Sequence, residues 1–207
     1  MLRGGGLKSN EVRIIGGAWR SRRIRFPDRT GLRPTPDRVR ETVFNWLGQD
    51  LSGLICLDLF AGSGALGFEA ASRGAAHVVM VDDDRAAHAA LRLNCDALEA
   101  RQVELVLADA LEFVGSTRAA THHYDIIFAD PPFSADYWPR LLPLLTAHMT
   151  RDAKLYCESR KALEWPAGWE VFRQGRAGQV VFQLVKWTRH EPHGDLPGHV
   201  RPDHPRP

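Results

Sequence analysis

The chain has 207 residues, of which 44% are hydrophobic and 25% charged, a composition typical of one globular domain with a sizeable core. No apolar run approaches the roughly 20 residues that a membrane-spanning helix needs, and the first residues lack the apolar stretch of a signal peptide, so neither a membrane protein nor an exported one is expected. The cysteines, Cys56, Cys95 and Cys157, lie far apart, which favours free thiols in the cytoplasm over disulfides or a zinc site.

Basic residues are concentrated at the start of the chain. Residues 1–40 hold 11 Lys and Arg against three acids, while the remaining residues hold 16 against 22. This split indicates a basic arm for a polyanion, attached to a more neutral catalytic body. Within the arm, residues 1–10 are expected to form a disordered tail.

Residues 11–35 predict a basic β-hairpin followed by a stiff linker. Short runs at residues 12–15 and 19–26 flank two glycines, the pattern of two strands about a turn. After the proline-rich linker, the apolar spacing predicts a helix from Asp37 to about Leu47. The candidate contacts to a nucleic acid are the arginines of this segment, namely Arg20, Arg22, Arg23 and Arg33.

Residues 36–188 predict one α/β domain. From residue 54 onward, short apolar runs typical of strands buried on both faces alternate with helical patterns. Five such alternations imply a doubly wound parallel sheet, and a closing pair of strands at residues 169–174 and 179–187 implies one antiparallel strand. The expected fold is therefore Rossmann-like, with seven mostly parallel strands.

Near the end of this domain a helix is expected at residues 137–149 and a strand at residues 154–158. Residues 189–207 are rich in His and Pro and poor in apolar side chains. They predict a second disordered tail, and their histidines fit no zinc spacing.

A glycine-rich loop follows the first strand of the domain. Gly62, Gly64 and Gly67 satisfy the GxGxxG pattern, and Asp82 lies 20 positions after Gly62. This arrangement predicts an adenosine-containing cofactor whose ribose hydroxyls bond to Asp82, but nicotinamide dinucleotides share the pattern. The loop residues expected to contact the cofactor are Phe60, Ala61, Gly62, Ser63 and Gly64.

Acidic residues favour S-adenosylmethionine as that cofactor. Asp58, at the end of the first strand, would repel a pyrophosphate but favours an ammonium and a sulfonium group. The alternative role of Asp58 is to cap the following helix. After the third strand, the Asp109 carboxylate can accept the adenine amino hydrogen, and Ala110 offers a backbone N–H.

The segment Asp130-Pro131-Pro132-Phe133 ends the fourth strand and has the chemistry of a catalytic turn. Its prolines donate no hydrogen bonds and stiffen the backbone, so that the site offers acceptors to an exocyclic amine. The Asp130 carboxylate and the Pro131 carbonyl can take the two amine hydrogens, while the Phe133 ring can stack on the base. Catalysis would then consist mainly of alignment.

Four segments closely resemble the RsmD family of bacterial methyltransferases, which act on a guanine N2 of 16S ribosomal RNA. They are GGAWR at residues 16–20, GLRPTPDRVRETVFNWL at 31–47, FAGSGALG at 60–67 and DPPF at 130–133. The resemblance extends over about residues 12–187.

The resemblance implies a class I methyltransferase fold with an N-terminal hairpin extension. It also implies a substrate, 16S rRNA in a 30S subunit or an assembly intermediate, and it places Arg38 beside the cofactor and the catalytic turn beside a flipped base. Family members commonly carry Glu where Asp82 stands, and Asp has a shorter reach, so Asp83 is a second candidate. A monomer without metal is expected.

Three alternatives stay open from the sequence. The catalytic turn would serve adenine N6 as well as guanine N2, although DNA methyltransferases usually carry a large target-recognition domain that 207 residues hardly accommodate. A nicotinamide oxidoreductase would bind NAD instead of S-adenosylmethionine. A non-enzymatic RNA-binding protein would tolerate loss of Asp130.

Overall fold

The fold consists of a seven-stranded sheet with helices on both faces and a separate two-stranded hairpin. The computed structural model describes residues 9–28, 34–132 and 137–188. The hairpin strands are β1 (Ser9–Arg13) and β2 (Arg23–Pro27). The sheet strands are β3 (Ile55–Asp58), β4 (His77–Asp82), β5 (Val103–Leu107), β6 (Tyr124–Ala129), β7 (Met149–Ser159), β8 (Trp169–Ala177) and β9 (Val180–Trp187). The helices are α1 (Asp37–Leu47), α2 (Ala65–Ser72), α3 (Arg85–Leu98), α4 (Ala110–Val114) and α5 (Trp138–Leu145).

The strand order is β5-β4-β3-β6-β7-β9-β8. All neighbours pair in parallel except β9, which is antiparallel to both β7 and β8. The predicted Rossmann-like sheet with one antiparallel strand is confirmed. From β3 the chain adds β4 and β5 on one side of the sheet, and it then returns to add β6 on the other side of β3. Ligands of such sheets bind at this switch point, outside the carboxyl ends of the strands.

The central strands are buried on both faces because helices cover each side. Side chains that alternate along β3 and β6 enter two separate cores: Cys56 and Phe128 face α1, α2 and α3, whereas Leu57 and Ile127 face α4 and α5. This double burial explains why these strands read as continuous apolar runs in the sequence.

Several boundaries differ from the predicted ones. The hairpin begins at Ser9, so Ser9 and Asn10 belong to β1 and not to the tail expected at residues 1–10. Residues 14–22 form the turn, closed by hydrogen bonds between Ile14 and both Ser21 and Arg22, so the expected strand at 19–26 is shorter. The other predicted tail residues, 1–8 and 189–207, lie outside the described residues.

The end of the domain differs in the same way. Helix α5 stops at Leu145 and a short 3-10 turn, Thr146–His148, replaces the expected last turn. Pro143 lacks the N–H that would continue regular helical bonding. Strand β7 then begins at Met149, five residues before the predicted position 154, because its first residue pairs with β6 across a bulge. None of the described helices combines the length and the hydropathy needed to cross a membrane.

Candidate active site

Four aspartates follow the parallel strands at one edge of the sheet: Asp58, Asp82, Asp109 and Asp130. The carboxyl ends of parallel strands meet at the same edge, so these side chains converge at the switch point. Their electrostatic interactions agree with this placement. Burial is the main cause that raises the pKa of Asp58, and the charge of Asp82 adds to it. The charge of Asp58 in turn contributes to the raised pKa of Asp130. The edge is a strongly acidic, acceptor-rich cleft.

The glycine loop is held across the ends of three strands. The Leu59 N–H donates to the Phe128 carbonyl of β6 at 3.0 Å, and the Ala61 N–H donates to the Val81 carbonyl of β4 at 2.9 Å. Gly62 and Gly64 have positive φ values of 51° and 80°, a conformation that favours glycine. The loop therefore lies between the predicted cofactor acids and the catalytic turn.

The predicted loop contacts differ in accessibility. Phe60 and Gly62 are partly exposed in the cleft, whereas Ala61, Ser63 and Gly64 are buried. A Cβ on Gly64 would come within 2.6 Å of the Phe68 ring, so packing requires glycine there independently of any ligand.

Asp58 is buried and performs the alternative role named above. One of its oxygens accepts the N–H of Gly67, in the first turn of α2, at 2.9 Å. Burial, more than the charge of Asp82, raises the pKa of Asp58 to about 7, against the opposing effect of the Gly67 and Phe60 N–H groups. Its predicted role toward the methionine end of the cofactor stays a prediction.

Asp82 accepts hydrogen bonds through both carboxylate oxygens and joins the glycine loop to the start of α3. One oxygen accepts the Gly62 N–H at 2.7 Å and the other the Asp84 N–H at 2.9 Å. Burial raises the pKa of Asp82, partly offset by these hydrogen bonds. Asp83 is exposed, and Asp84 caps α3 as predicted, with its side chain accepting the Ala87 N–H at 2.7 Å.

Asp109 is the N-cap of α4. One of its oxygens accepts the N–H groups of Leu111 and Glu112 at 2.8 and 3.0 Å, and Ala110 is the buried first residue of the helix. The cap orients the carboxylate at the edge of the cleft, and its predicted bond to adenine stays a prediction.

The predicted catalytic turn lies beside this cleft. Asp130 directly follows β6, whose neighbours are β3 and β7; Pro131 is buried and Pro132 exposed. Burial, followed by the charges of Glu158 and Asp58, raises the pKa of Asp130 well above its usual value. A neutral Asp130 still accepts a hydrogen bond through its carbonyl oxygen. Phe133 lies outside the described residues.

Glu158 is a site residue that the sequence analysis missed. It lies near the end of β7, and because Ala129 pairs with Cys157, it stands beside Asp130. The Thr35 hydroxyl and the Tyr156 hydroxyl both donate to its Oε1 atom, at 3.0 and 2.7 Å. Burial raises the pKa of Glu158 despite these bonds. The sequence feature that could have indicated Glu158 is an acidic residue near the carboxyl end of a buried strand, β7, which lies next to the strand that Asp130 follows.

A cavity of about 390 Å³ opens at the catalytic turn. It is lined by Pro131, Pro132, Trp138, Glu158, Lys161 and Leu163, among others. An adjacent cavity of about 550 Å³ shares Lys161 and is bordered by Arg176. The two cavities form a groove with a carboxylate at the catalytic end and cationic side chains further out.

A buried ionic network fastens the N-terminal extension to the domain. The fully buried Arg40 donates to Glu69 at 3.3 Å, to the Arg13 carbonyl at 2.8 Å and to the Thr35 carbonyl at 3.1 Å. Glu69 also accepts the backbone N–H groups of Ile15 and Gly16 at 2.9 and 2.7 Å. This network, which the sequence analysis did not anticipate, sets the position of Thr35 next to Glu158.

Arg38 lies in the first turn of α1, and its side chain is exposed. The start of α1 lies near the catalytic edge, because Thr35, just before the helix, is hydrogen-bonded to Glu158 at that edge. Its predicted position beside the cofactor stays a prediction.

The predicted nucleic-acid contacts of the hairpin lie at the opposite edge of the sheet. Arg22 donates to the Ala97 carbonyl at the end of α3, at 2.7 Å, and the Ala18 N–H donates to the Ser72 carbonyl at the end of α2. Both helices run from the catalytic edge to the amino edge, and the 14 residues of α3 span about 20 Å. Arg23 is paired with Glu11 at 2.9 Å and Arg20 is exposed, while Arg33 lies outside the described residues.

One cluster in the described part of the chain has metal-ligand chemistry. His77, Glu104 and His122 offer ligand atoms within 4.8 Å of one another at the amino edge. Glu104 is, however, already paired with Arg118 at 2.6 Å. The expected absence of a metal is not tested by this arrangement.

This strand order, with a glycine loop and acids at the switch point, defines a class I methyltransferase fold. A solved structure from Escherichia coli assigned as a methyltransferase (yhhF) is 40% identical, has a TM-score of 0.77, and covers 86% of this chain and 99% of its own. A structure from Haemophilus influenzae assigned as a methylase is 33% identical, with a TM-score of 0.71 and the same coverage of both chains. A more distant methyltransferase solved in complex with SAH shares the fold, at 16% identity and a TM-score of 0.64.

The sequence comparisons show the family. The model of the family described as Conserved hypothetical protein 95 matches residues 12–186. The protein named Ribosomal RNA small subunit methyltransferase D of Escherichia coli is 42% identical over 183 residues, which is 86% of this chain and 91% of that protein. Its namesake in Haemophilus influenzae is 37% identical over 182 residues, 85% of this chain and 94% of that protein. The chain belongs to this family, and the predicted resemblance is confirmed.

Proposed function

We propose that the chain transfers a methyl group from S-adenosylmethionine to a guanine N2 of 16S rRNA. The observation that carries this proposal is the juxtaposition of the Asp130–Pro132 turn with the acidic cleft, in a family whose relatives are named as methyltransferases of small-subunit ribosomal RNA. A 30S subunit or an assembly intermediate is the proposed partner. The protein would act as a cytoplasmic monomer without a metal.

The donor groups of the cleft suit this cofactor. S-adenosylmethionine, when bound, supplies an electrophilic methyl on a positively charged sulfur. Asp58 at the switch point favours its cationic methionine end, Asp82 or Asp83 would bond the ribose hydroxyls, and Asp109 would accept the adenine amino hydrogen. Burial of Asp58 among other carboxyl groups disfavours a negatively charged pyrophosphate in the same place.

The catalytic turn holds the attacking amine. The carbonyl oxygen of a neutral Asp130 and the Pro131 carbonyl accept its two hydrogens, which directs the nitrogen lone pair out of the base plane. In the transfer that S-adenosylmethionine would support, N2 would gain the methyl group as the carbon–sulfur bond breaks and would then release one proton to water, because a protonated Asp130 cannot take a second one. Orientation of the amine in a partly dehydrated cleft supplies most of the rate enhancement.

The direct test is a transfer assay with radiolabelled S-adenosylmethionine, using 30S subunits, naked 16S rRNA and duplex DNA from cells that lack the gene. Nucleoside analysis of the product should give N2-methylguanosine. Only N6-methyladenosine, or label on DNA alone, would establish the adenine alternative. Absence of transfer to every substrate, with S-adenosylmethionine binding retained, would contradict the proposal.

A further inference from the structure

The cavity beside the catalytic turn has the composition of a base-binding site. Its wall contains the stiff Pro131-Pro132 pair and the Trp138 ring, both flat apolar surfaces, and its volume of about 390 Å³ lies in the range typical of small-ligand sites. The Trp138 ring is held by an edge contact with Trp165, at 6.0 Å between ring centroids. A planar base entering the cavity would stack on this surface with its polar edge toward Glu158.

Among the described residues, the hydrogen bonds of Glu158 leave one of its carboxylate oxygens available to a ligand. The recorded hydrogen bonds of its side chain, from Thr35 and Tyr156, both end on Oε1, and none from the described residues ends on Oε2. Two hydroxyl donors stabilise negative charge on Glu158, whereas Asp130 has no such pair in the described residues, and burial followed by the charge of Glu158 raises its pKa. The hydrogen-bond geometry therefore favours the negative charge on Glu158 and the proton on Asp130.

We propose that this cavity binds the flipped target base and that Glu158 selects guanine by accepting the N1–H of its Watson–Crick edge. This inference rests on the proposed function and extends it to base selection. In guanine the N1–H and the N2 amine are adjacent donors, and they match adjacent acceptors at Glu158 and Asp130. In adenine N1 is an acceptor. A buried Glu158 carboxylate would repel it, and both acceptors would lack a hydrogen-bond donor.

The geometry of the fold supports this pairing of roles. Asp130 and Glu158 each follow one member of a pair of facing residues, Ala129 and Cys157, in two adjacent parallel strands. A base whose amine is held by Asp130 can therefore turn its N1 edge toward Glu158. The cation-lined groove at Lys161 and Arg176 leads to the same cavity and gives the RNA backbone a path to it.

The test removes the negative charge of the Glu158 side chain while keeping the shape of that side chain. In Glu158→Gln the amide oxygen can still accept from Thr35 and Tyr156, but an NH₂ group replaces the free oxygen. The probe is 16S rRNA, alone or reconstituted into small subunits, in which the guanosine that the wild type methylates is replaced by 2-aminopurine riboside. This base keeps the 2-amino group but has an acceptor at N1.

The wild type should prefer guanosine over 2-aminopurine by on the order of 100-fold or more in kcat/KM. Glu158→Gln should lower this ratio to below about 10 or reverse it. The control Tyr156→Phe removes one of the two hydroxyl donors but leaves the carboxyl group and its hydrogen bond from Thr35, so it should lower the ratio less than Glu158→Gln does. An unchanged ratio in Glu158→Gln would overturn the inference.

If Glu158→Gln transfers no methyl group to either RNA, 2-aminopurine fluorescence reports extrusion of the base directly. The variant should then extrude the probe base more readily than the wild type does, and equal or weaker extrusion would overturn the inference. Failure of the proposed function would be distinguishable, because the wild type itself would then not methylate guanosine.

Discussion

The role proposed for Asp130, holding the attacking amine, needs no negative charge. Asp130 is half-buried between Asp58 and Glu158, and the charges of these two groups add to desolvation in raising its pKa. A protonated carboxyl group presents a carbonyl oxygen of the same kind as an amide. The amine-holding role therefore depends on an oxygen at this position and not on ionisation.

This account predicts different outcomes for two substitutions at residue 130. Asp130→Asn should retain kcat within about 10-fold, because the amide oxygen still accepts from the amine, whereas Asp130→Ala should lose about 100- to 1,000-fold, the effect of removing one positioned polar group. Single-turnover transfer measures both, and calorimetric titration should show that both variants still bind S-adenosylmethionine. Equal losses in the two variants would mean that the charge is needed.

At the scale of elements, helix α1 joins the extension to the domain through one buried cation. Arg40 contacts β1, the Thr35 segment and α2, and its partner Glu69 is equally buried. Removing one member of such a pair leaves a buried charge short of a partner.

Arg40→Met should therefore lower the free energy of unfolding by about 3 kcal/mol or more. The matched control is Arg38→Met, an exposed arginine of the same helix, which should change stability by less than about 0.5 kcal/mol. Urea unfolding followed by circular dichroism compares the two. A loss in Arg38→Met as large as that in Arg40→Met would contradict the role given to the buried network.

The two sets of exposed cations lie at opposite ends of the elements and should act differently. Arg20 and Arg22 lie in the hairpin turn at the amino edge, whereas Lys161 and Arg176 border the groove at the catalytic edge. Charge at the far edge can add affinity for a large RNA but cannot orient its target base.

We expect the double variant Arg20→Glu, Arg22→Glu to weaken RNA binding with little change in kcat. The variant Lys161→Glu, Arg176→Glu should weaken binding and also lower kcat. Each pair should reduce the slope of log affinity against log salt by about 2, one unit for each lost phosphate contact. Unchanged RNA binding in the first variant would show that the hairpin is scaffold only.

At the scale of the whole molecule, the sheet concentrates buried acids at its carboxyl edge. In the folded protein Asp58 has a pKa of about 7, raised mainly by burial from the usual 3.8. Between these values the folded chain binds a proton at Asp58 that the unfolded chain does not, so the free energy of unfolding falls as pH rises through this window. The catalytic arrangement thus costs stability near neutral pH.

In the cofactor-free protein, the contribution of Asp58 to the free energy of unfolding should accordingly decline by up to about 4 kcal/mol between pH 4 and pH 8. Asp58→Asn keeps an acceptor for the Gly67 N–H without a titratable group, and its stability should therefore fall less over the same range. Chemical unfolding of both proteins at several pH values measures the difference. Parallel pH profiles for wild type and variant would show that the pKa of Asp58 is near its usual value.

Features whose chemistry is contiguous in the chain could be predicted from the residue pattern alone. The alternation of strands and helices, the glycine loop and the Asp130–Pro132 turn each depend on neighbouring residues, so local patterns predicted them. The placement of Asp82 and Asp109 followed as well, because parallel strands bring their carboxyl ends to one edge.

Contacts between distant segments, in contrast, depend on the folded arrangement. Thr35 and Glu158 are 123 residues apart, and Arg40 and Glu69 are 29 apart, so their hydrogen bonds depend on strand register and helix packing that no local pattern encodes. The same holds for the hairpin arginines, whose charge was evident but whose distance from the catalytic edge follows from the direction of α2 and α3. Neighbouring residues determine local chemistry, whereas the packing of the whole fold determines which partner a buried charge meets.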